Sequence, residues 1–515
     1  MMHLNFSKIE KKTMDYTIIL ILLSIFTCSY IYIYITQSHR RNSTQLPPGP
    51  YPLPLIGSIF KLGKKPHHSL ATLSKTHGPL MSLKLGSTTM IVVSSREVAQ
   101  EFFLKHDNSF SSRSIPYAAH AHDRHKISMV WLPVGDQWRR LRKISKEHLF
   151  SKRQLDASHL LRKKKVQELL EYVDDCCENG KPVNVGQTAV TTTLNVLSNF
   201  IFSTDFTKYD SVSSQDFKDL VGGLMEVGGT PNLADFFPVL RPFDPKGLLR
   251  QATFYTGKLM AIFEEHISKR LQERSICSSD GPLSSKDLTD LLLDICENEK
   301  SSINMDGIRN LIFDLFLAGT DTTSSTLEWA MAELIHSPEK MAKARYELEE
   351  VIGKEDRTVE ESDISRLPYL QAVIKETLRL HPPVTFLIPH RAIDDVEILG
   401  YVVPKDAQIL CNLWAMGQDS SVWSDAQTFL PERFLDVGID YKGRDFELIP
   451  FGAGRRICPA LPLAHRMLQL MLGGLIYRFD WKMEKGMRPE DMDMSDKFGI
   501  TLQKNLPLMA IPIKV

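Results

Sequence analysis

The pattern of apolar and polar positions changes character several times along this chain, and each change predicts an element. Tyr16 to Ile35 is an uncharged, mostly apolar run followed by His39, Arg40 and Arg41. As a helix such a run spans a hydrocarbon core of roughly 30 Å. A cleaved signal peptide would have a shorter apolar region and a small-residue cleavage site. Tyr30, Tyr32 and Tyr34 suit an interfacial aromatic belt. Pro47 to Gly57 follows with five prolines before Leu55. Proline fixes φ and removes donors, so this stretch reads as a stiff, extended linker. Met81 to Ser94 alternates about a Gly-Ser turn, the signature of a small β-hairpin. Residues 155 to 300 read as successive amphipathic helices with polar breaks, one of them a Pro- and Phe-rich loop from Gly228 to Gly247. From Ile303 to His336 a single helical pattern runs for about 50 Å at ~1.5 Å per residue, enough to cross a whole domain. A last apolar helical pattern runs from Leu461 to about Tyr477.

Composition narrows the reading without deciding it. At 515 residues the chain is long enough for two ordinary domains or one large one, and 43% hydrophobic content supports a sizeable core. Lys plus Arg and Asp plus Glu both number 62, so nothing points to nucleic acid, and an electrostatic partner must use a local patch. The seven cysteines are scattered, odd in number and without a CxxC pair, the usage of a reducing compartment. Lys8, Lys11 and Lys12 precede the apolar run. If Met14 is the start, only Asp15 precedes it, and the positive-inside rule then puts the body in the cytosol. Asn42-Ser43-Thr44 is a glycosylation sequon that would go unused there.

Candidate chemistry begins at Phe451-Gly452-Ala453-Gly454-Arg455-Arg456-Ile457-Cys458-Pro459-Ala460. A cysteine between glycines and a helix start has its sulfur near unpaired N–H groups and the positive end of the dipole, which favour the thiolate. Zinc or an iron–sulfur cluster needs several clustered ligands. A lone thiolate suits the single axial ligand of a haem iron. Arg456 can pair with a propionate, and Phe451 can cover one ring face. By itself the residue would read as a buried structural cysteine. In the middle of the long helix sits Ala318-Gly319-Thr320-Asp321-Thr322-Thr323. This stretch has poor helix propensity. Gly319 is expected to leave a gap in the helix surface and a threonine hydroxyl to open the ladder, making room beside a hydroxyl and a carboxylate. Trp138 and Arg142 lie at i, i+4 on one predicted helix face. Arg139, Arg140, Lys143 and Lys146 form a basic strip, a docking surface or simply a solvated face. Glu376 and Arg379 lie at i, i+3, with Arg433 available from Pro431-Glu432-Arg433-Phe434. His120, His122 and His125 share no helical face and have few carboxylates nearby, so a metal reading is disfavoured.

Together these motifs resemble the cytochrome P450 superfamily. The Cys loop matches FxxGxRxCxG at Phe451, Gly454, Arg456 and Cys458, with Ala460 where the family has its last glycine. The hinge, Trp138-x-x-x-Arg142, Ala318 to Thr323, and Glu376-x-x-Arg379 with Arg433 match four further motifs in order. Stretches such as GTPNLADFFPVLRPFDP and FGITLQK are similar to plant microsomal members of the geraniol 8-hydroxylase-like group.

The resemblance implies a mainly α fold with a minor β region. The expected divisions are a leader (1–15), a transmembrane anchor (16–35), a proline-rich hinge (36–57) and one haem-thiolate domain (58–515). It implies haem b with Cys458 as iron ligand, and Phe451, Gly454, Arg456, Trp138, Arg142, His390, Ala318 and Gly319 around it. It implies Asp321 as proton relay and Thr322 as the hydroxyl beside bound oxygen. Haem-thiolate isomerases and dehydratases need no such acid–hydroxyl pair, so the pair points to a monooxygenase. Glu376, Arg379 and Arg433 are implied as a structural network. Phe313, Leu317, Val384, Thr385, Phe386, Leu387 and Ile500 are expected to face substrate. Electrons would come from NADPH through a separate reductase. The expected setting is the endoplasmic reticulum membrane, single-pass, with a monomeric catalytic unit on the cytosolic side and no nucleic-acid partner. The expected reaction is hydroxylation of a terpenoid such as geraniol or nerol. The alternatives are a diterpene or phenolic substrate, or a haem electron carrier or sensor without catalysis.

Overall fold

The computed structural model describes residues 16–31, 46–210, 212–277, 287–297, 303–353 and 357–515. The expected leader, the sequon at Asn42 and the last residues of the expected span (32–35) lie outside the described residues. Residues 16–31 form a helix that leaves Ile18, Leu20, Leu22 and Phe26 exposed. Among the described residues no helix is long and apolar enough to cross a membrane.

Of the helices among the described residues, those that bear on the site are α1 (Pro66–His77), α2 (Asp136–Ile144), α3 (Val185–Phe202), α4 (Val212–Gly229), α5 (Leu248–Cys277), α6 (Met305–His336), α7 (Pro368–Leu380) and α8 (Leu461–Arg478). The fold is built around α6. Its start is set by Asn304, whose side chain accepts from Gly307 N at 2.9 Å, two residues inside the predicted start at Ile303. Ser337 and Pro338 follow its end. Nearly all of α6 is buried, packing most extensively along α3 and also against α5, α7 and α8.

The expected opening of the α6 ladder does not occur. Thr320, Thr322, Thr323, Ser324 and Thr326 each donate a hydroxyl hydrogen bond to the carbonyl four residues back, at 2.8 to 3.2 Å. A carbonyl has two lone pairs, so it accepts the hydroxyl as well as the helical N–H. The weak helix formers are satisfied locally, and α6 runs unbroken. Gly319 keeps part of its surface, but on one side it is closely approached. A Cβ there would lie 2.9 Å from Leu197 Cδ1, so the missing side chain leaves room for that leucine of α3.

The sheets are small. Strands β1 (Leu80–Leu85), β2 (Thr88–Val93), β3 (Ser112–Arg113), β4 (His390–Arg391) and β5 (Gln408–Cys411) form a five-stranded sheet in the order β1-β2-β5-β4-β3. The predicted hairpin is β1–β2, paired from Leu80↔Val93 to Leu85↔Thr88. β3 lies inside a segment that read as loop, and its pairing sets Arg113 opposite His390. Near the C-terminus, β6 (Asp496–Lys497) and β7 (Gln503–Lys504) form a two-stranded hairpin.

The proline linker does not hang free. Pro48 O accepts from Ser82 N at 2.8 Å and Pro47 O from Ser82 Oγ at 2.6 Å, so the linker lies along the edge of β1. A Cβ on Gly49 would fall 1.8 Å from Ser82 O, so only glycine allows this docking.

Candidate functional site

Cys458 sits where a tight loop turns into α8. Its N–H donates to Phe451 O at 2.9 Å, closing the loop, and Ala460 caps α8. Ala460 has φ −90°, so a residue with a Cβ fits there without backbone strain. Gly454 is different. Its φ is +61°, and a Cβ would meet Asp107 Oδ1 at 2.5 Å and Phe103 O at 2.6 Å. That close approach lets Arg455 pair with Asp107 at 2.6 Å and hold the loop against the segment after β2. Phe451 is half-buried, with its ring 5.5 Å from that of Tyr441.

The backbone N–H groups of Ala460 and Leu461 point at the Cys458 sulfur, as the helix-start argument expected. The thiol is nevertheless pushed up from its ordinary value. Burial outweighs those two donors and the Arg142 guanidinium, which act in the opposite direction. Although enclosed, Cys458 keeps accessible surface, so it borders an internal space.

A set of cationic side chains without anions adjoins this loop. Arg113 is held well below its ordinary value by burial, then by Arg456 and Arg142. Arg456 is lowered to about 10 by burial and by Arg142. Arg142 is lowered by burial, with Cys458 acting against it. Among the described residues none of the three forms an ion pair with a carboxylate. Arg456 instead donates to the carbonyls of Ser111 (2.8 Å), Met129 (3.3 Å) and Leu132. Arg113 donates to Ile388 O, leaving its buried Nε without a partner. Trp138 lies beneath both cations, with the Arg456 and Arg142 guanidinium carbons 4.7 Å and 5.7 Å from its ring centre, and its buried Nε1 also has no partner.

Three crowded guanidinium groups and two orphaned donors are costly unless an anion joins them. A dianionic group such as the two propionates of haem meets that need, and a cysteine thiolate suits its iron. The residues present fit the group. His390 lies beside this set, its Nδ1 2.7 Å from Phe110 O. Burial and Arg113 push it well below its ordinary value, so it is neutral. Arg113 was missed from the sequence. A lone arginine between serines carries no periodic signal, and only the β3–β4 pairing brings it in.

On α6, Leu317, Ala318, Gly319, Asp321 and Thr322 interrupt an otherwise buried surface, and Ala318 is exposed. A stretch of open surface in the middle of the central helix marks a second wall of internal space. Thr322 Oγ1 donates to Ala318 O at 2.9 Å. Asp321 Oδ1 accepts from Gln503 Nε2 at 3.0 Å, while Oδ2 is buried with no partner. Burial pushes the Asp321 carboxyl up, with Thr501 and Gln503 pulling the other way.

Of the expected substrate-facing residues, Leu317, Val384, Leu387 and Ile500 keep some surface. The structure does not bring Phe313, Thr385 and Phe386 to open space. Phe313 is 1% exposed and covered by the Arg124 guanidinium at 3.5 Å. Thr385 is buried, and Phe386 packs against Phe498 at 5.8 Å.

The Glu376 group is fully buried. Arg379 forks onto its carboxylate with two bonds of 2.7 Å, and Arg433 Nε adds one of 3.0 Å. Arg379 also donates to the carbonyls of Gly417, Ala426 and Thr428, tying α7 to the segment that leads into the Cys loop. The basic residues Arg139, Arg140, Lys143 and Lys146 stay exposed.

The three histidines do not converge. The His120 and His125 rings lie 4.0 Å apart and tilted at 38°, while His122 reaches Thr253 O at 3.0 Å. The ligand-type cluster found among the described residues is His67, His68 and Asp496. Lys65 Nζ is 2.6 Å from that carboxylate, so a cation already occupies the approach.

The chain matches the cytochrome P450 family over residues 47–509. It is 54% identical over 503 residues to cytochrome P450 76T24 of Catharanthus roseus, covering 98% of this chain and 100% of that protein. It is 52% identical over 500 residues to a geraniol 8-hydroxylase of the same plant, covering 97% and 99%. Among solved structures, a zebra fish cytochrome P450 with progesterone superposes with a TM-score of 0.74 at 25% identity, covering 87% of this chain and 99% of that one.

Proposed function

The chain belongs to the cytochrome P450 family, and on that premise we propose that this monooxygenase hydroxylates a small terpenoid alcohol such as geraniol or nerol. The observation that carries the substrate is the 52% identity, over nearly both full lengths, to a geraniol 8-hydroxylase. The aliphatic surface of Leu317, Ala318, Val384, Leu387 and Ile500 supports it.

The cofactor is haem b, which when bound supplies oxygen activation and an oxidant for C–H bonds. In this reading Cys458 is the iron ligand, its sulfur held by the Ala460 and Leu461 N–H groups. Arg113, Arg142, Arg456 and Trp138 hold the propionates, with neutral His390 beside them. Thr322 offers a hydroxyl on the open face of α6. Asp321, whose carboxyl burial pushes up from its ordinary value, passes a proton from Oδ2 toward that hydroxyl and regains one from solvent. Glu376, Arg379 and Arg433 hold the segment before the Cys loop. A redox partner reductase supplies the electrons. Residues 1–15 act as leader, 16–35 anchor the chain in the endoplasmic reticulum membrane, 36–57 form the hinge, and 58–515 form the catalytic domain on the cytosolic side.

The test is co-expression with a plant reductase, feeding geraniol, nerol, a diterpene and a phenol with NADPH, and identifying products by mass. Hydroxygeraniol as main product is the expected outcome. Turnover of the diterpene or phenol alone would overturn the substrate, and NADPH-independent haem reduction without product would overturn the reaction.

A further inference from the structure

One face of α6 is bound lengthwise by the C-terminal segment. Asp321, Ser325, Glu328 and Trp329 lie at i, i+4, i+7 and i+8, so they share that face. Ser325 Oγ and Trp329 Nε1 both donate to Leu502 O, at 2.7 Å and 3.2 Å. Glu328 Oε1 accepts from Leu508 N at 2.9 Å. Between these fastenings Gln503, paired with Lys497 across the β6–β7 hairpin, donates to Asp321 Oδ1 at 3.0 Å. Its position is therefore set by the α6 side chains that bind the main chain of Leu502 and Leu508 on either side, not by Asp321 itself.

We propose that Gln503 is a positioning residue for proton delivery, holding Asp321 by Oδ1 so that Oδ2 is the oxygen that carries and releases the proton. The proposal rests on the reading of Asp321 as the relay. Two observations support it. Asp321 Oδ2 is buried without a partner, a placement that suits an O–H group. The Thr501 hydroxyl, 3% exposed, also lacks a partner and is close enough to act on the carboxyl, so it can take part in the same path. In each transfer the Oδ2–H bond breaks as its proton passes to the neighbouring hydroxyl, that hydroxyl gives up its own proton onward, and a proton from solvent restores Oδ2–H. An amide suits the anchor because it does not titrate. The charged groups nearby are Glu328, two turns along α6, and Lys504, whose Nζ donates to Asp493 O at 2.6 Å.

The experiment compares the parent holoenzyme with Gln503→Leu, Asp321→Asn and the double variant. Carbon monoxide absorbance and substrate-induced spectral shifts report the fold and the pocket, and are expected to match the parent in Gln503→Leu. Product formed per NADPH is expected to fall about tenfold. The alkaline limb of its pH profile should move up, because the carboxylate has lost a donor. A readout independent of turnover is the thermal midpoint of the resting enzyme. The gap between parent and Gln503→Leu should widen as pH rises, since the lost bond matters more to the ionised carboxylate. In the double variant, removal of Gln503 should add nothing to Asp321→Asn. Unchanged coupling, a pH-independent midpoint gap, or additive losses would each overturn the proposal. Parental coupling in Asp321→Asn alone would overturn the relay itself, and is read from that arm.

Discussion

Replacing Glu376 by Gln tests whether the buried network is held by charge or merely by shape. Four donors converge on this carboxylate. Arg379 Nη2, Arg433 Nε and Leu430 N donate to Oε1 at 2.7, 3.0 and 2.7 Å, and Arg379 Nε donates to Oε2 at 2.7 Å. A glutamine has one oxygen, so whichever way its amide turns, an NH2 group faces at least one guanidinium donor. Each hydrogen bond to a charged partner contributes about 1.5–3 kcal/mol. Leaving a fully buried cation without its counter-charge costs about 3–5 kcal/mol. The Arg379 bonds to Gly417, Ala426 and Thr428 carbonyls survive the change, which places the expected loss near the lower end, about 3 kcal/mol. For roughly 460 folded residues that corresponds to a drop of about 3 °C in the thermal midpoint. The assay is the loss of carbon monoxide-binding thiolate absorbance with temperature at a fixed heating rate. Heating is irreversible for many proteins of this size, so the rate of loss at one temperature is measured too. A variant within about 1 °C of the parent, with the same rate of loss, would refute the argument that charge holds this network.

Other expectations follow from single contacts. Trp138→Phe keeps the ring beneath Arg456 and Arg142 but removes the orphaned Nε1 donor. Haem retention against an apoprotein acceptor should weaken about tenfold, since one such bond contributes about 1.5 kcal/mol. Gly319→Ala places a Cβ 2.9 Å from Leu197 Cδ1 and should cost about 1–3 kcal/mol. Thermal midpoints of that variant and of Gly319→Ala with Leu197→Val check it, the second change relieving the first. Burial would push the Asp496 carboxyl up, but bonds from His67 and Lys65 prevail and hold it well below its ordinary value. Its contribution to stability is therefore complete above the unfolded value, about 3.9, and is lost as pH falls below that toward the folded value. Midpoints measured from neutral pH down into that range should fall less steeply in Asp496→Asn than in the parent.

The elements with a local signal were legible before the structure. The β1–β2 hairpin is marked by its Gly-Ser turn, α6 by its long helical pattern, and the Cys loop by its glycines, of which Gly452 and Gly454 take positive φ. Reasoning from propensity alone failed within α6. The Thr-rich stretch read as a local opening of the helical ladder, but hydroxyl hydrogen bonds to carbonyls one turn back leave the ladder intact. The linker read as stiff and extended because proline's missing donors are visible in sequence, whereas its docking is not, since the Ser82 donors that meet its carbonyls are far along the chain.

The sequence by itself determined the thiolate loop, the acid–hydroxyl pair on a long helix and the Glu–Arg partners, because each is a short spacing that a helix or turn turns into geometry. The tertiary structure decided which distant side chains complete them. β3–β4 pairing brings Arg113 to the cationic set, α3 closes on Gly319, and the C-terminal segment lays Gln503 against Asp321. Such contacts join residues separated by tens to hundreds of positions. They arise from packing and hydrogen bonding between elements, which no local pattern along the chain encodes.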